Sequence, residues 1–499
     1  MATSDTSPAH SAGRHIVVCG SGLAAQQVCA ALAPYLCDSL GVTWIAGISS
    51  ADSDFLYGNL APPTAYDFNL SLGVSEPELI LNSDTTFSYG THVTNWGALK
   101  LNWVQAFHQP LPVLEGATFQ HYLTQQGQAA LEPFLVSAVA ARRGVFAHPP
   151  EDPAHPLSRA EYGYHFDATA YGALFELAAA NGGVRKVAAD VSAIDAVDGA
   201  IKAIHLSNGQ TLTADLWIDA TGPQATLLSQ IGGVRHSADL RQKRRLCVSL
   251  TRMEAETPGP AVTTVNGTSY GWQAKTALRT STLMLTTSDP DSDLEAQAVP
   301  ETAPVRSATV DIGFRDIAWV GNCVGIGHAA CVAEPLTIAP ILLLQRDIER
   351  LLPLLPVSDD LSVERREYNR QALADYVHAD LFMRALFETQ PVEGSLYWRD
   401  ATRTPADERL ARKIEQFESR GLHVAYDLEP FGPEDWLILH YGMGRRPLRY
   451  DRIVDGADNA RIRQYFESLR SNIDSVIRSM PPHGTYLNGL TNYLRQTQG

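Results

Sequence analysis

The chain of 499 residues is long enough for two or three domains, and 45% hydrophobic with 19% charged residues is a globular balance. With a formal net charge of −16, from 39 Lys and Arg against 55 Asp and Glu, it lacks the basic surface a nucleic acid needs. No apolar run is long enough to span a bilayer, so membrane chemistry is excluded too, and a soluble, cytoplasmic protein is expected.

Met1 to Gly13 is small and polar without an apolar core, which reads as a disordered tail rather than a signal peptide. His15-Ile16-Val17-Val18-Cys19-Gly20-Ser21-Gly22-Leu23-Ala24-Ala25 then reads as strand, tight turn and helix. Gly20 permits the reversal, Gly22 lets a pyrophosphate approach the main chain, and Ala25 is the third small position, for close helix–strand packing. Leu23 and Ala24 open the helix at the same anion-seeking end. A single G-x-G-x-x-A also fits an ordinary strand-to-helix turn, so the motif alone leaves a dinucleotide site and a plain turn both open.

Gly41 to Ala46 is the second strand, and its end is unusual for an adenosine site. The acid expected there for the ribose hydroxyls is missing, since the chain runs Ala46-Gly47-Ile48-Ser49. Either Asp52 or Asp54 reaches back, or the contact is lost or made by water. A Gly/Pro-rich loop, Tyr57 to Thr64, leads into an amphipathic stretch ending at Leu72-Gly73, and Thr85 to Trp96 alternates like a strand. From about residue 97 to 160 the pattern is irregular and Pro-rich, as in an insertion covering a site.

A helix is expected from Tyr171 to Asn181, a hairpin turn at Asn208-Gly209, and a returning strand ending in Asp219-Ala220-Thr221-Gly222, whose tip can lie against a nucleotide. Residues 247 to about 300 are strand-rich and carry Trp272. Ile317 to Gly327 is a further strand with a Gly-rich turn, followed by a helix from about Pro340 to Leu354. Beyond Ser358 the spacing is helical, around Leu361 to Leu386, Ala406 to Arg420 and Ala460 to Met480. The six cysteines have no metal-ligand spacing and read as mostly buried thiols.

Several ordered pieces together resemble the flavin-dependent tryptophan halogenases. They are the Gly20/Gly22 turn, Leu72-Gly73 leading to Asn95-Trp96, Tyr164-His165-Phe166-Asp167-Ala168, Asp219-Ala220-Thr221-Gly222, Gly321 to Gly327 with Glu334-Pro335-Leu336, and Trp436 with Gly442-Met443-Gly444. The resemblance implies an α/β fold: an FAD-binding Rossmann-like part of the single-component monooxygenase type, a mixed-sheet substrate region and a helical C-terminal part. The corresponding division is 14–357, with the covering segments 97–160 and 247–300 inserted, and 358–499. It implies FAD, reduced by a separate flavin reductase, and O2 acting on a small aromatic, indole-like substrate, with a homodimer left open. No second G-x-G-x-x-G follows, which argues against an integral NAD(P)H site.

By the same resemblance Gly222, Gly321, Ile338 and Ala339 join the first turn at the cofactor, and Trp272 and Glu334 lie at the substrate. In the family an active-site Lys holds the oxidised halogen and a Glu assists proton removal. Here the Lys is expected after the Gly58–Pro63 loop, where the chain reads Thr64-Ala65-Tyr66-Asp67, and the Glu position falls at Thr337. The family's Glu-Ser-Thr-Gly halide turn is Thr337-Ile338-Ala339-Pro340, and Pro340 has no N–H to offer an anion. Lys100 and Lys275 are either displaced ammonium donors or surface lysines, and His165 and His328 either proton carriers or structural residues. Trp96, Trp103, Trp272 and Tyr66 either cage a planar substrate or fill the core. The rival to an enzyme is a non-catalytic member of the family acting as a binding or assembly subunit.

Overall fold

Ile16, Val17, Val18 and Cys19 are covered on both faces, which fits an inner strand of a parallel sheet. The computed structural model describes residues 13–47, 51–231, 241–290, 304–403 and 407–498, so the tail before Gly13, Ile48, Ser49 and the end of the 247–300 segment lie outside it. Arg14–Cys19 pairs in parallel with Leu40–Ile45 on one side and Leu216–Asp219 on the other. The sheet has six strands, in the order Trp319–Val320, Cys323–Gly325, Leu216–Asp219, Arg14–Cys19, Leu40–Ile45, Arg185–Val187. The pairing is parallel except at the Trp319–Val320 edge. The helix Leu23–Leu32 packs on it beside Ala168–Asn181, whose first turn is capped by the Asp167 carboxylate.

A second sheet runs Cys331–Val332, Arg306–Phe314, Arg241–Glu254, Ser281–Ser288, Gly271–Ala277, Thr263–Gly267, Gly90–Trp96, Leu101–Ala106. It is mixed, because Thr263–Gly267 and Gly90–Trp96 run parallel within an otherwise antiparallel set. The segment expected to be irregular therefore supplies this sheet's edge strand, Leu101–Ala106, and two helices, Phe119–Gln125 and Val136–Arg143.

The C-terminal part is helical: Ser362–Phe387, Leu396–Thr402, Glu408–Arg420, Pro433–Gly442, Asn459–Ser479 and His483–Gln498. The first of these packs on Ala339–Leu351, and Phe382 stacks on Phe431 with centroids 3.9 Å apart. The architecture is α/β with a mixed sheet and a helical C-terminal part. None of the described helices is long and apolar enough to cross a membrane.

Candidate active site

The turn after the first strand puts Gly20 at φ +141°, a conformation that favours glycine, and starts the helix at Leu23. Its N-terminal N–H groups are the natural seat for an anion. That seat is taken from within the chain. The Asp54 carboxylate accepts the Leu23 N–H at 2.9 Å, and a Cβ on Gly22 would come 2.4 Å from its Oδ1. Asp54 is buried, and its pKa is pushed up to about 7, chiefly by that burial, with Asp52 and Asp167 adding to it and the Leu23 N–H and Arg306 opposing. Trp44 closes the other side of the turn by donating its indole N–H to the Gly20 carbonyl at 2.6 Å.

The tip Asp219-Ala220-Thr221-Gly222 sits at the same end of the sheet. The fully buried Asp219 carboxylate accepts the N–H groups of Thr221, Leu227 and Leu228, which holds the tip in a fixed curl, with Gly222 at φ +82°. Gly321 is elsewhere. It precedes the strand Cys323–Gly325, at the opposite end of the sheet, and a Cβ there would meet the Gly199 carbonyl at 2.0 Å. Ligands in such sheets sit at the carboxyl ends of the strands, so Gly321 serves the packing of a hairpin rather than a cofactor. Gly327, at φ +60°, is the glycine at the carboxyl end, with its missing Cβ beside the Tyr57 hydroxyl.

Further into the molecule, four elements enclose an aromatic-walled pocket. Thr91 and Val93 lie opposite Gln105 and Trp103 on the last two strands of the sheet, so all four share one face. Phe382 and Leu386, one turn apart on the long helix, form a second wall; Phe431 and Asp435 form a third. Thr337 and Ile338, just before the helix Ala339–Leu351, close it. The Thr337 hydroxyl accepts the Ala339 N–H at 3.2 Å and lies 3.3 Å from the Met383 sulfur. Of the four residues considered for an aromatic cage, Trp96 and Trp103 line this pocket; Trp272 and Tyr66 are not among its lining residues.

A model of the family described as tryptophan halogenase matches residues 15–459. The chain belongs to the tryptophan halogenase family. Tryptophan 6-halogenase SttH of Streptomyces toxytricini is 25% identical over 346 residues, 65% of each chain, and tryptophan 7-halogenase KtzQ of Kutzneria sp. is 25% identical over 45% of each. The chain thus matches about two thirds of one of these relatives' length and under half of the other's. BrvH, a flavin-dependent halogenase from Brevundimonas sp. BAL3, superposes with a TM-score of 0.85 at 25% identity, covering 96% of this chain and 99% of its own. Xcc4156 from Xanthomonas campestris superposes with a TM-score of 0.84 at 24% identity, covering 95% and 98%. The Rossmann-like part is therefore the FAD-binding fold of this family.

In this tryptophan halogenase family member, the Asp54 carboxylate engages a helix N–H that an FAD pyrophosphate would use, so the cofactor would have to displace it. The other expected site residues are also distributed in ways the sequence hides. Tyr66 and Asp67 are exposed on the short helix Ala65–Ser71, and Tyr66 lines an open cleft with Pro149, Pro150 and Glu161. Lys100 and Lys275 are exposed, and neither lines the aromatic pocket. His165 is fully buried with its ring nitrogens near the Thr263 hydroxyl and the Ala277 carbonyl; burial holds it neutral, with a pKa of about 3. His328 is likewise neutral, with a pKa lowered to about 3, and stacks on Tyr57 with centroids 3.8 Å apart.

Trp272 and Glu334 are brought together, but to each other. The Trp272 indole N–H donates to Glu334 at 2.7 Å, the Tyr397 hydroxyl donates to the same oxygen at 2.6 Å, and Arg244 pairs with the other. Such a buried carboxylate needs all of these donors, so the pair acts as a structural clamp between the mixed sheet and the helices. Tyr397→Phe is expected to cost about 1–3 kcal/mol, because it removes one donor from a buried anion. Thermal or denaturant unfolding of the variant measures this; an unchanged midpoint would contradict the clamp.

Proposed function

We propose that this chain is an FAD-dependent oxidoreductase acting on a small aromatic, indole-like substrate held in the pocket beside Thr337. The observation that carries the reading is an aromatic-walled pocket, lined by Trp96, Trp103, Phe107, Phe382 and Phe431, abutting the turn before Ala339–Leu351 in a chain of this family. Reduced FAD, delivered by a separate reductase, and O2 would supply the oxidant. The pocket would bind and orient the ring, and its buried walls would keep water from it.

Ordinary halogenation is the less favoured chemistry. Among the described lining residues no ammonium is present to hold an oxidised halogen, and Thr337 and Pro340 stand where the family carries a base and a backbone donor. Asp54 on the helix N-terminus favours a second reading, a family member retained as a binding or assembly subunit.

Titration with FAD and with reduced FAD, followed by flavin fluorescence and melting temperature, separates the two. The enzyme reading expects saturable binding with stabilisation that grows with ligand concentration. An absence of binding at high micromolar FAD would leave the subunit reading. Turnover of indole with a reductase, with and without bromide, then identifies the chemistry.

A further inference from the structure

The polar groups of the aromatic pocket are almost all spent on the protein itself. Trp96 donates its indole N–H to the Leu386 carbonyl at 2.6 Å, and Trp103 donates to Gln105 Oε1 at 3.3 Å. The Gln105 amide in turn donates to the Asp435 backbone carbonyl at 2.9 Å. The Asp435 carboxylate is different. Its Oδ2 accepts the Gly432 N–H at 2.8 Å, closing the first turn of the helix Pro433–Gly442, and a carboxylate offers about four acceptor positions. Acceptor capacity therefore remains for a ligand.

The charge of the pocket has one sign. Asp435 is the one ionisable side chain among its described lining residues, and no Lys, Arg or His stands there. Glu434 and Glu161 face Asp435 and add negative potential. An aromatic ligand carrying a carboxylate would bring an anion into this field with nothing to offset it. One carrying an ammonium would be neutralised by Asp435 and attracted by the faces of the surrounding rings.

We propose that the pocket selects aromatic compounds bearing a cationic amine and no carboxylate, an arylalkylamine class, with Asp435 as the residue that sets this preference. The inference rests on the reading that this pocket receives the aromatic substrate. It sets free aromatic amino acids aside as ligands of this site.

The test is direct binding to the full-length protein without flavin, by calorimetry, using tryptamine, indole, L-tryptophan and indole-3-propionate. At about pH 8 tryptamine should bind about tenfold tighter than indole, and more than tenfold tighter than L-tryptophan or indole-3-propionate. Asp435→Asn, which keeps an acceptor for Gly432, should bring tryptamine down to the level of indole and leave indole unchanged. A second measurement needs no variant. Burial, with Glu434 and Glu161 adding to it and the Gly432 N–H opposing, raises the Asp435 carboxyl to about 7. The advantage of tryptamine over indole should therefore grow as pH rises from about 6 to about 8, while the amine stays cationic. Equal binding of tryptamine and L-tryptophan, or a preference untouched by Asp435→Asn and by pH, would overturn the proposal while leaving the substrate pocket intact. If none of the four ligands binds, the pocket reading falls and the proposal with it.

Discussion

Arg350→Ala is expected to destabilise the protein by about 3–5 kcal/mol, the loss typical of removing one partner from a buried ion pair. Arg350 donates to Asp347 at 2.9 Å and pairs with Asp375, and the guanidinium and both carboxylates are nearly fully buried. Asp375 keeps Arg346 at 2.8 Å after the substitution, but Asp347 keeps only neutral donors, the Tyr376 hydroxyl at 2.7 Å and the Gly327 N–H at 3.1 Å. Burial already lifts the Asp347 carboxyl to about 6 against the pull of Arg350, so without that cation it rises further. An acid with a raised native pKa takes up its proton in the folded state, so its ionisation costs stability as pH rises through that value. The deficit of Arg350→Ala should accordingly be largest above pH ~6 and shrink toward pH ~5. Arg350→Met combined with Asp347→Asn should recover more than half of it, since the uncompensated charge is then gone. Denaturant unfolding at two pH values checks both points. A loss below about 1 kcal/mol would mean that water already screens the cluster.

That cluster also shows what a linear sequence can and cannot carry. The strand, turn and helix from Arg14 to Leu32 were legible because a buried apolar run, two glycines and a helical period lie next to one another. Family resemblance supplied the rest of the α/β frame. The edge strand Leu101–Ala106 was missed because six residues among prolines give too little alternation to register, and its pairing partner rather than its composition makes it a strand. Gly321 fell into a Gly-rich turn that looked nucleotide-facing, and only the direction of the strand after it shows which end of the sheet it occupies. Trp272 and Glu334 were placed at the substrate by the resemblance, but nothing in their spacing says that a buried indole and a buried carboxylate satisfy each other across 62 positions. Asp435 carried only the signature of a helix start after Gly432-Pro433; its place in the pocket depends on Gln105, 330 residues earlier.

The sequence left open whether Asp52 or Asp54 reaches back toward a ribose or the contact is lost, and the structure has Asp54 reaching a different atom, the Leu23 N–H. The consequence is the second large effect: Asp54→Asn should tighten FAD binding about tenfold to a hundredfold at about pH 8. A charge-assisted hydrogen bond of this kind is worth about 1.5–3 kcal/mol, and every 1.4 kcal/mol is a factor of ten in affinity. In the natural chain a pyrophosphate must first displace that bond and then face an ionised carboxylate at close range; asparagine keeps the shape and gives up the charge. The sign of the pH dependence follows from the raised pKa. Asp54 has its carboxyl lifted from 3.8 to about 7, so the folded state holds the proton more tightly than the unfolded chain. Stability should fall as pH climbs from about 4 through about 7, and FAD affinity of the natural chain should fall over the upper part of the same range as Asp54 ionises. Asp54→Asn should flatten both curves, which flavin fluorescence titrations and melting temperatures between about pH 6 and 8 would read directly. If the variant binds FAD no more tightly than the natural chain at pH ~8, Asp54 is not what keeps the pyrophosphate out, and Gly22 is glycine only to admit an internal carboxylate.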